Sequence, residues 1–180
     1  MELSRRGFIA GAVALPVAVA MPRLPRALWA PGTPLRHLDA HQAAVVVEAT
    51  ARLIPGPTDD LLELGHPGAR EAGVVGYIDA LLSAFDTDPP QIYAGGPFSG
   101  RHGGDHDDFA DFQRLSTLQE HHWRGVVTLL RAQYVAGVAA LDAAAGRDYA
   151  AADPLTQDLT LAADATGFRD VLFYLSIIHI

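Results

Sequence analysis

Every apolar run of this chain repeats at helical spacing, and none alternates with period two for any length. A chain with that pattern has no half-buried strand to offer a sheet, so the expected fold is all-α, a single helical domain of about five helices. Between residues 68 and 85, Ala72, Val75, Ile78, Leu82 and Phe85 fall on one stripe. Between 116 and 145, Leu118, Val126, Leu129, Leu130, Tyr134, Val138 and Leu141 can face a core. Start signals agree with the spacing. Asp39 with Gln42 and Ser116 with Gln119 are capping boxes, and Asp153 followed by Pro154 reads as a cap and a first helical residue. Stops are expected at Pro55-Gly56-Pro57 and at Gly146. A last helix starts near Thr166. Gly125 and Gly137 lower helix stability inside the longest helix, which points to close contacts with a neighbouring helix there.

Two stretches interrupt this order. Residues 22–36 hold four prolines and read as a linker, giving an expected division into 1–20, 21–36 and a helical domain 37–180. Residues 89–109, PPQIYAGGPFSGRHGGDHDDF, form a Gly/Pro-rich stretch without periodicity, and loops of that length inside a compact domain are commonly functional or disordered.

The first twenty residues look like an address. Ser4-Arg5-Arg6-Gly7-Phe8-Ile9 places a bulky apolar residue two positions after paired arginines, the twin-arginine export pattern. An apolar run to Ala20 follows, with Ala18-Val19-Ala20 as a small-x-small cleavage site. Export by the twin-arginine translocase is expected, to the periplasm or the outer face of the cytoplasmic membrane. That route carries folded proteins, so the chain either holds a cofactor or accompanies a partner that does.

The residues lack most standard catalytic patterns. The formal net charge of −8 disfavours a nucleic-acid partner. Without cysteine there is no disulfide, thiolate nucleophile or thiolate-bound metal. All thirteen basic residues are arginine, and a P-loop requires a lysine. No G-x-G-x-x-G follows a strand, and the serine of GPFSG is one place late for a nucleophile elbow. Glu48, Glu71 and Glu120 are followed three residues later by Ala51, Val74 and Trp123, which removes the Glu-x-x-His pairs of a helical di-iron site. One metal candidate is left, His102, Asp105, His106, Asp107 and Asp108 in HGGDHDD, with His121 as a further ligand, and it would make the chain an independent exported helical metal-binding protein or enzyme; the other reading of the stretch is a solvated loop whose acids favour the next helix N-terminus. His121 and His122 point about 100° apart on a helix and do not readily share an ion. Trp123 beside Arg124 suits a core or an interface. His37, His41, His66 and His179 carry no pattern.

Several phrases, in this order, resemble the gluconate 2-dehydrogenase subunit 3 family: ATARLIPGP (49–57), GAREAGVVGYID (68–79), QIYAGGPFSGR (91–101), Leu115 with Trp123-Arg124, and GVAALD (137–142). The resemblance implies a non-catalytic small subunit with no cofactor of its own. Its partner would be an FAD-dependent dehydrogenase large subunit of the GMC type that oxidises a sugar or alcohol, with haem c in a possible third, cytochrome c subunit. It also implies that the small subunit stabilises the flavoprotein and takes it through the translocase. Tyr93, Phe98, Arg101, Trp123 and Arg124 are the expected partner-binding residues, since aromatics and arginine dominate interface energetics. The resemblance further implies a Gly/Asn-rich segment after the last helix, so a chain longer than 180 residues is expected.

Overall fold

A computed structural model of the chain describes residues 34–95 and 112–179. Five α-helices occupy it: α1 (Ala40–Leu53), α2 (Val74–Leu82), α3 (Thr117–Ala144), α4 (Pro154–Ala162) and α5 (Phe168–His179), with a 3-10 turn at Leu61–Glu63 between α1 and α2. No strand occurs among the described residues, where β-pairing is confined to a bridge between Ala94 and Gln113. The expected all-helical architecture is therefore present. The export segment and the linker up to residue 33 lie outside the described residues.

Local chemistry explains most helix boundaries. Asp39 accepts the N–H of Gln42 at 2.8 Å, and the Gln42 amide oxygen accepts the N–H of Asp39 at 3.1 Å, closing the capping box that starts α1. Ser116 and Gln119 repeat the motif at α3, and Asp153 accepts from Leu155 and Thr156 ahead of Pro154 at α4. Gly146, at φ +90°, takes the left-handed turn that ends α3.

α1 is the central element. Its sequence AHQAAVVVEATARL is small on most faces, and α2, α3, α4 and α5 all pack on it. Val45, Val46, Ala49, Thr50 and Ala51 are buried, with the Thr50 hydroxyl donating back to Val46 O at 2.8 Å. Around it sit Val74, Ile78 and Leu82 from α2, Trp123, Val127, Tyr134, Val138 and Leu141 from α3, and Phe168, Leu172 and Leu175 from α5. Each such aliphatic or aromatic side chain contributes roughly 1.5–3 kcal/mol by burial.

α2 begins at Val74, not near Gly68 as the periodicity predicts. The segment before it brings two backbones into contact: a side chain on either Gly56 or Gly68 would collide with the other residue's main chain. Glu71 bridges the same place by accepting the N–H groups of Gly68 (3.0 Å) and Thr58 (3.2 Å). Those hydrogen bonds hold its carboxyl below the usual range, the contact with Thr58 contributing most. Gly73, at φ +68°, then turns the chain into α2.

The entry into α1 is fixed from a distance. Asp79, inside α2 and 4% exposed, accepts the backbone N–H groups of Arg36 (2.8 Å), His37 (2.9 Å) and Leu38 (2.9 Å). Arg131 of α3 donates to Leu82 O at 2.6 Å and pairs with Asp86 at 2.6 Å, which ties the end of α2 to α3.

The two glycines of α3 differ. A Cβ on Gly137 would overlap the Phe168 ring, which stands edge-on to Tyr134 with centroids 5.1 Å apart. Gly125 has open space where its side chain would be, so it marks no helix contact. Two expected core positions are also corrected. Leu118 and Leu129 are 79% and 60% exposed, because the buried stripe through Trp123, Val127, Tyr134, Val138 and Leu141 puts them on the opposite side of the helix. Ala72 and Phe85 are half-buried.

Gly137→Ala is expected to destabilise the fold by about 1–3 kcal/mol through overpacking. Gly125→Ala should stabilise it by up to about 1 kcal/mol through helix propensity. Urea unfolding of both variants beside the wild type checks this opposite sign. Asp79→Ala should cost about 3 kcal/mol or more, since three donors lose a charged acceptor. Faster amide exchange at residues 36–38 would accompany that loss.

Candidate functional site

The expected partner-binding residues fall into separate places. Tyr93 is half-buried, its ring 5.6 Å from that of Phe112. Next to this pair Ala94 donates to Gln113 O at 2.8 Å, and Gly95 turns at φ +87° against the Gln113 side chain. Arg114 pairs with Asp88 at 2.6 Å and sits 5.9 Å from the Phe112 ring centroid. Together these contacts hold the two ends of the long Gly/Pro-rich stretch side by side. Phe98 and Arg101, the metal candidates His102, Asp105, His106, Asp107 and Asp108, and the export residues Arg5, Arg6 and Phe8 lie outside the described residues.

Trp123 belongs to the core and not to an open surface. It is 8% exposed and packed within the main hydrophobic cluster. Its position on the buried stripe of α3, one turn before Val127, decides this. Arg124 is engaged within the chain: it pairs with Glu120 at 2.8 Å and its guanidinium lies 4.5 Å from the Phe85 ring centroid. His121 and His122 are exposed, and the His122 ring meets Trp123 edge-on at 6.2 Å.

The exposed apolar surface lies elsewhere. Leu118 and Leu129 line the outer side of α3, and Leu61, Leu62 and Leu64 project from the 3-10 turn at 76%, 91% and 69% exposure. Leu155 and Leu159 stand out from α4, and Tyr174, Ile177 and Ile178 from α5. An open notch of about 110 Å³ sits between α3 and the start of α5, lined by Gln133, Ala136 and Gly137 on one side and Thr166, Gly167, Phe168 and Val171 on the other.

Charged groups form short ties between elements. Arg70 joins Glu48 of α1 (2.5 Å) to Asp59 (2.7 Å), and the hydrogen bond to Glu48 leads the effects that raise its pKa. Arg52 of α1 and Asp158 of α4 form a two-pronged pair at 2.7 and 2.6 Å. Behind it the Tyr149 ring is fully buried, and burial pushes its hydroxyl pKa up.

The contact that sequence reading missed is at the opposite end of α1. His41 Nε2 lies 2.7 Å from Asp142 Oδ2, while Asp142 Oδ1 accepts the N–H of Tyr149 at 2.9 Å. With Asp148, these residues bring three possible metal-ligating atoms within 4.8 Å of one another. The His41 nitrogen is already engaged, and the hydrogen bond to Asp142, followed by that residue's charge, raises its pKa above 6.5 and so favours a proton there. The cluster reads as a tie between the start of α1 and the end of α3. No local signal could reveal it, because the partners are 101 residues apart.

A sign follows for pH. A histidine whose folded pKa is raised contributes its full stability below the unfolded value of 6.5, and that contribution disappears as pH rises through the folded value. The thermal midpoint of His41→Gln should therefore lie below that of the wild type under pH 6.5 and converge with it at alkaline pH. A gap that is constant with pH would show that the pair does not titrate.

Comparison with known proteins bears on what these surfaces serve. A family model described as Gluconate 2-dehydrogenase subunit 3 matches residues 40–169. A search of curated proteins gave no match, and a search of solved structures gave none. The matched range runs from the first residue of α1 into the start of α5, and so takes in the central helix, Asp79 without the residues 36–38 that it holds, and the Gly137–Phe168 contact. The chain belongs to the gluconate 2-dehydrogenase subunit 3 family.

Proposed function

We propose that this chain is the non-catalytic small subunit of an exported, FAD-dependent dehydrogenase that oxidises a sugar or related alcohol. The observation that carries the reading is the family match across residues 40–169, which makes the chain a subunit of a gluconate 2-dehydrogenase-like complex. Three further features support the finer statement. The sequence contains no dinucleotide fingerprint and no lysine, so the usual means of holding a nucleotide cofactor through this chain are missing from it. The Arg5-Arg6 pair with Phe8 fits a translocase signal that serves folded cargo. The surface is rich in exposed leucine while its charged groups are largely spent on internal ties.

In this reading flavin and substrate belong to a GMC-type large subunit, and a cytochrome c subunit carries electrons onward. The small subunit stabilises the flavoprotein and supplies its export signal. Its contribution to the reaction is indirect: it determines whether the flavoprotein is folded, located and lasting.

The test is co-production of the full chain with a GMC-type flavoprotein that lacks its own signal. Dehydrogenase activity should appear outside the cytoplasmic membrane with the wild-type chain. It should stay inside when Arg5 and Arg6 are both changed to lysine. External activity that persists with the double variant would refute the carrier role.

A further inference from the structure

Just beyond α3 the chain turns back and brings a second carboxylate beside the first. Gly146 turns at φ +90°, the N–H of Arg147 donates to Asp142 O at 2.8 Å, and Asp148 arrives next to Asp142. Each of these two acids has one oxygen fixed by a backbone donor. Asp142 Oδ1 accepts the N–H of Tyr149 at 2.9 Å, and Asp148 Oδ1 accepts that of Ala151 at 3.2 Å. His41, the second residue of α1, carries its imidazole to the same place, with Nε2 2.7 Å from Asp142 Oδ2. One nitrogen and two carboxylate oxygens, from three side chains, thus lie within 4.8 Å of one another.

The charge balance here differs from that of the other ties. Among the described residues the remaining ion pairs all use arginine, as in Arg52 with Asp158, Arg70 with Glu48 and Asp59, and Arg131 with Asp86. At His41 the charged groups that act on the ring are Asp142, Asp148 and Asp39, three acids with no arginine among them. A neutral imidazole beside those carboxylates is a set of donors with no cation of its own. The His41 and Asp142 side chains are 49% and 18% exposed, so an ion reaches them from solvent without unfolding the chain. In the tie described above, a proton fills the gap between Nε2 and Oδ2; a metal ion takes that position by displacing the proton.

The structure assigns His41 Nε2, Asp142 Oδ2 and a carboxylate oxygen of Asp148 as the protein ligands of a divalent transition-metal ion of the zinc class, with water completing its shell. An imidazole nitrogen beside carboxylate oxygens suits zinc, whereas calcium and magnesium take oxygen ligands. Ligand atoms at ~2.0–2.2 Å from zinc stand about 3.3 Å apart in a tetrahedral shell. Nε2 and Oδ2 therefore separate by roughly 0.6 Å while Asp148 closes in, movements that side-chain rotation at exposed positions supplies. The N–H groups of Tyr149 and Ala151 hold the two carboxylates from behind, as outer partners do for metal ligands. The bound ion joins the start of the central helix to the end of α3, across 101 residues of sequence, and its role is structural. This site stands apart from the subunit reading and does not depend on it.

The test uses the full chain, stripped with a chelator and titrated with zinc chloride at pH 8, where few protons compete for the ligands. Zinc should bind with a stoichiometry of one, and ~100 µM of it should raise the thermal midpoint by about 3 °C or more. Asp148→Asn removes one ligand, keeps an acceptor for the N–H of Ala151 and leaves the His41–Asp142 pair in place, so it separates the ion from the tie. It should weaken zinc binding by at least about tenfold, with a midpoint in chelator close to that of the wild type. His41→Gln should weaken zinc as much; circular dichroism establishes whether it is folded, and Asp148→Asn carries the test alone if it is not. The double variant His102→Gln with His106→Gln, in the Gly/Pro-rich stretch, should bind zinc like the wild type. A wild type without a saturable zinc-dependent shift overturns the proposal, as does Asp148→Asn that binds zinc as tightly as the wild type. Loss of binding in the His102 and His106 double variant gives the ion to that stretch and overturns it too. An equal shift with the same concentration of magnesium chloride overturns the choice of ion.

Discussion

The three backbone N–H groups of Arg36, His37 and Leu38 converge on one carboxylate, that of Asp79. The chain entering α1 has no helix of its own at that point, and a buried donor without a partner, as Leu38 N–H would be, costs about 1–3 kcal/mol. Asp79 satisfies all three donors from inside α2 and thereby fixes the path by which the chain reaches the cap of α1. Because α2 through α5 all pack on α1, its placement sets theirs. A buried carboxylate is unfavourable unless it is hydrogen-bonded, and this one is met by three N–H groups at 2.8–2.9 Å.

How much of this was legible depends on the distance over which each cause acts. Capping is local, so Asp39 with Gln42, Ser116 with Gln119 and Asp153 with Pro154 place the starts of α1, α3 and α4 from sequence. Gly146 places the end of α3 for the same reason. The start of α2 was not legible, because a contact between the backbones of Gly56 and Gly68 overrides the apolar periodicity before Val74. Asp79 looks like the polar side of an amphipathic helix until its partners, 41 to 43 residues away, are known. Gly137 and Gly125 look alike in sequence, and only the presence of Phe168 against one of them separates their roles.

The candidate site was readable in the same uneven way. Aromatic and arginine content drew attention to Trp123 and Arg124, yet Trp123 fills the core and Arg124 is held by Glu120 and Phe85. The signal for the outer face of α3 was present as a negative, the lack of charge at positions 118, 122, 125, 129, 132 and 136. It becomes meaningful only when those positions prove to be exposed, since an uncharged face that is buried is an ordinary core. Leu118 and Leu129 were read inward for that reason.

The clasp at Ala94 and Gln113 joins the chain on the two sides of the Gly/Pro-rich stretch. Where a loop's ends already touch within a rigid frame, the entropy of closing it grows slowly with length, about 0.6 kcal/mol for each doubling. The frame of α1, α2, α3 and α5 then gains or loses little when residues are added, removed or exchanged between those ends. The Tyr93–Phe112 contact and the Arg114–Asp88 pair reinforce the same doorway. Such a chain can keep one helical scaffold while the length of sequence between those two ends varies.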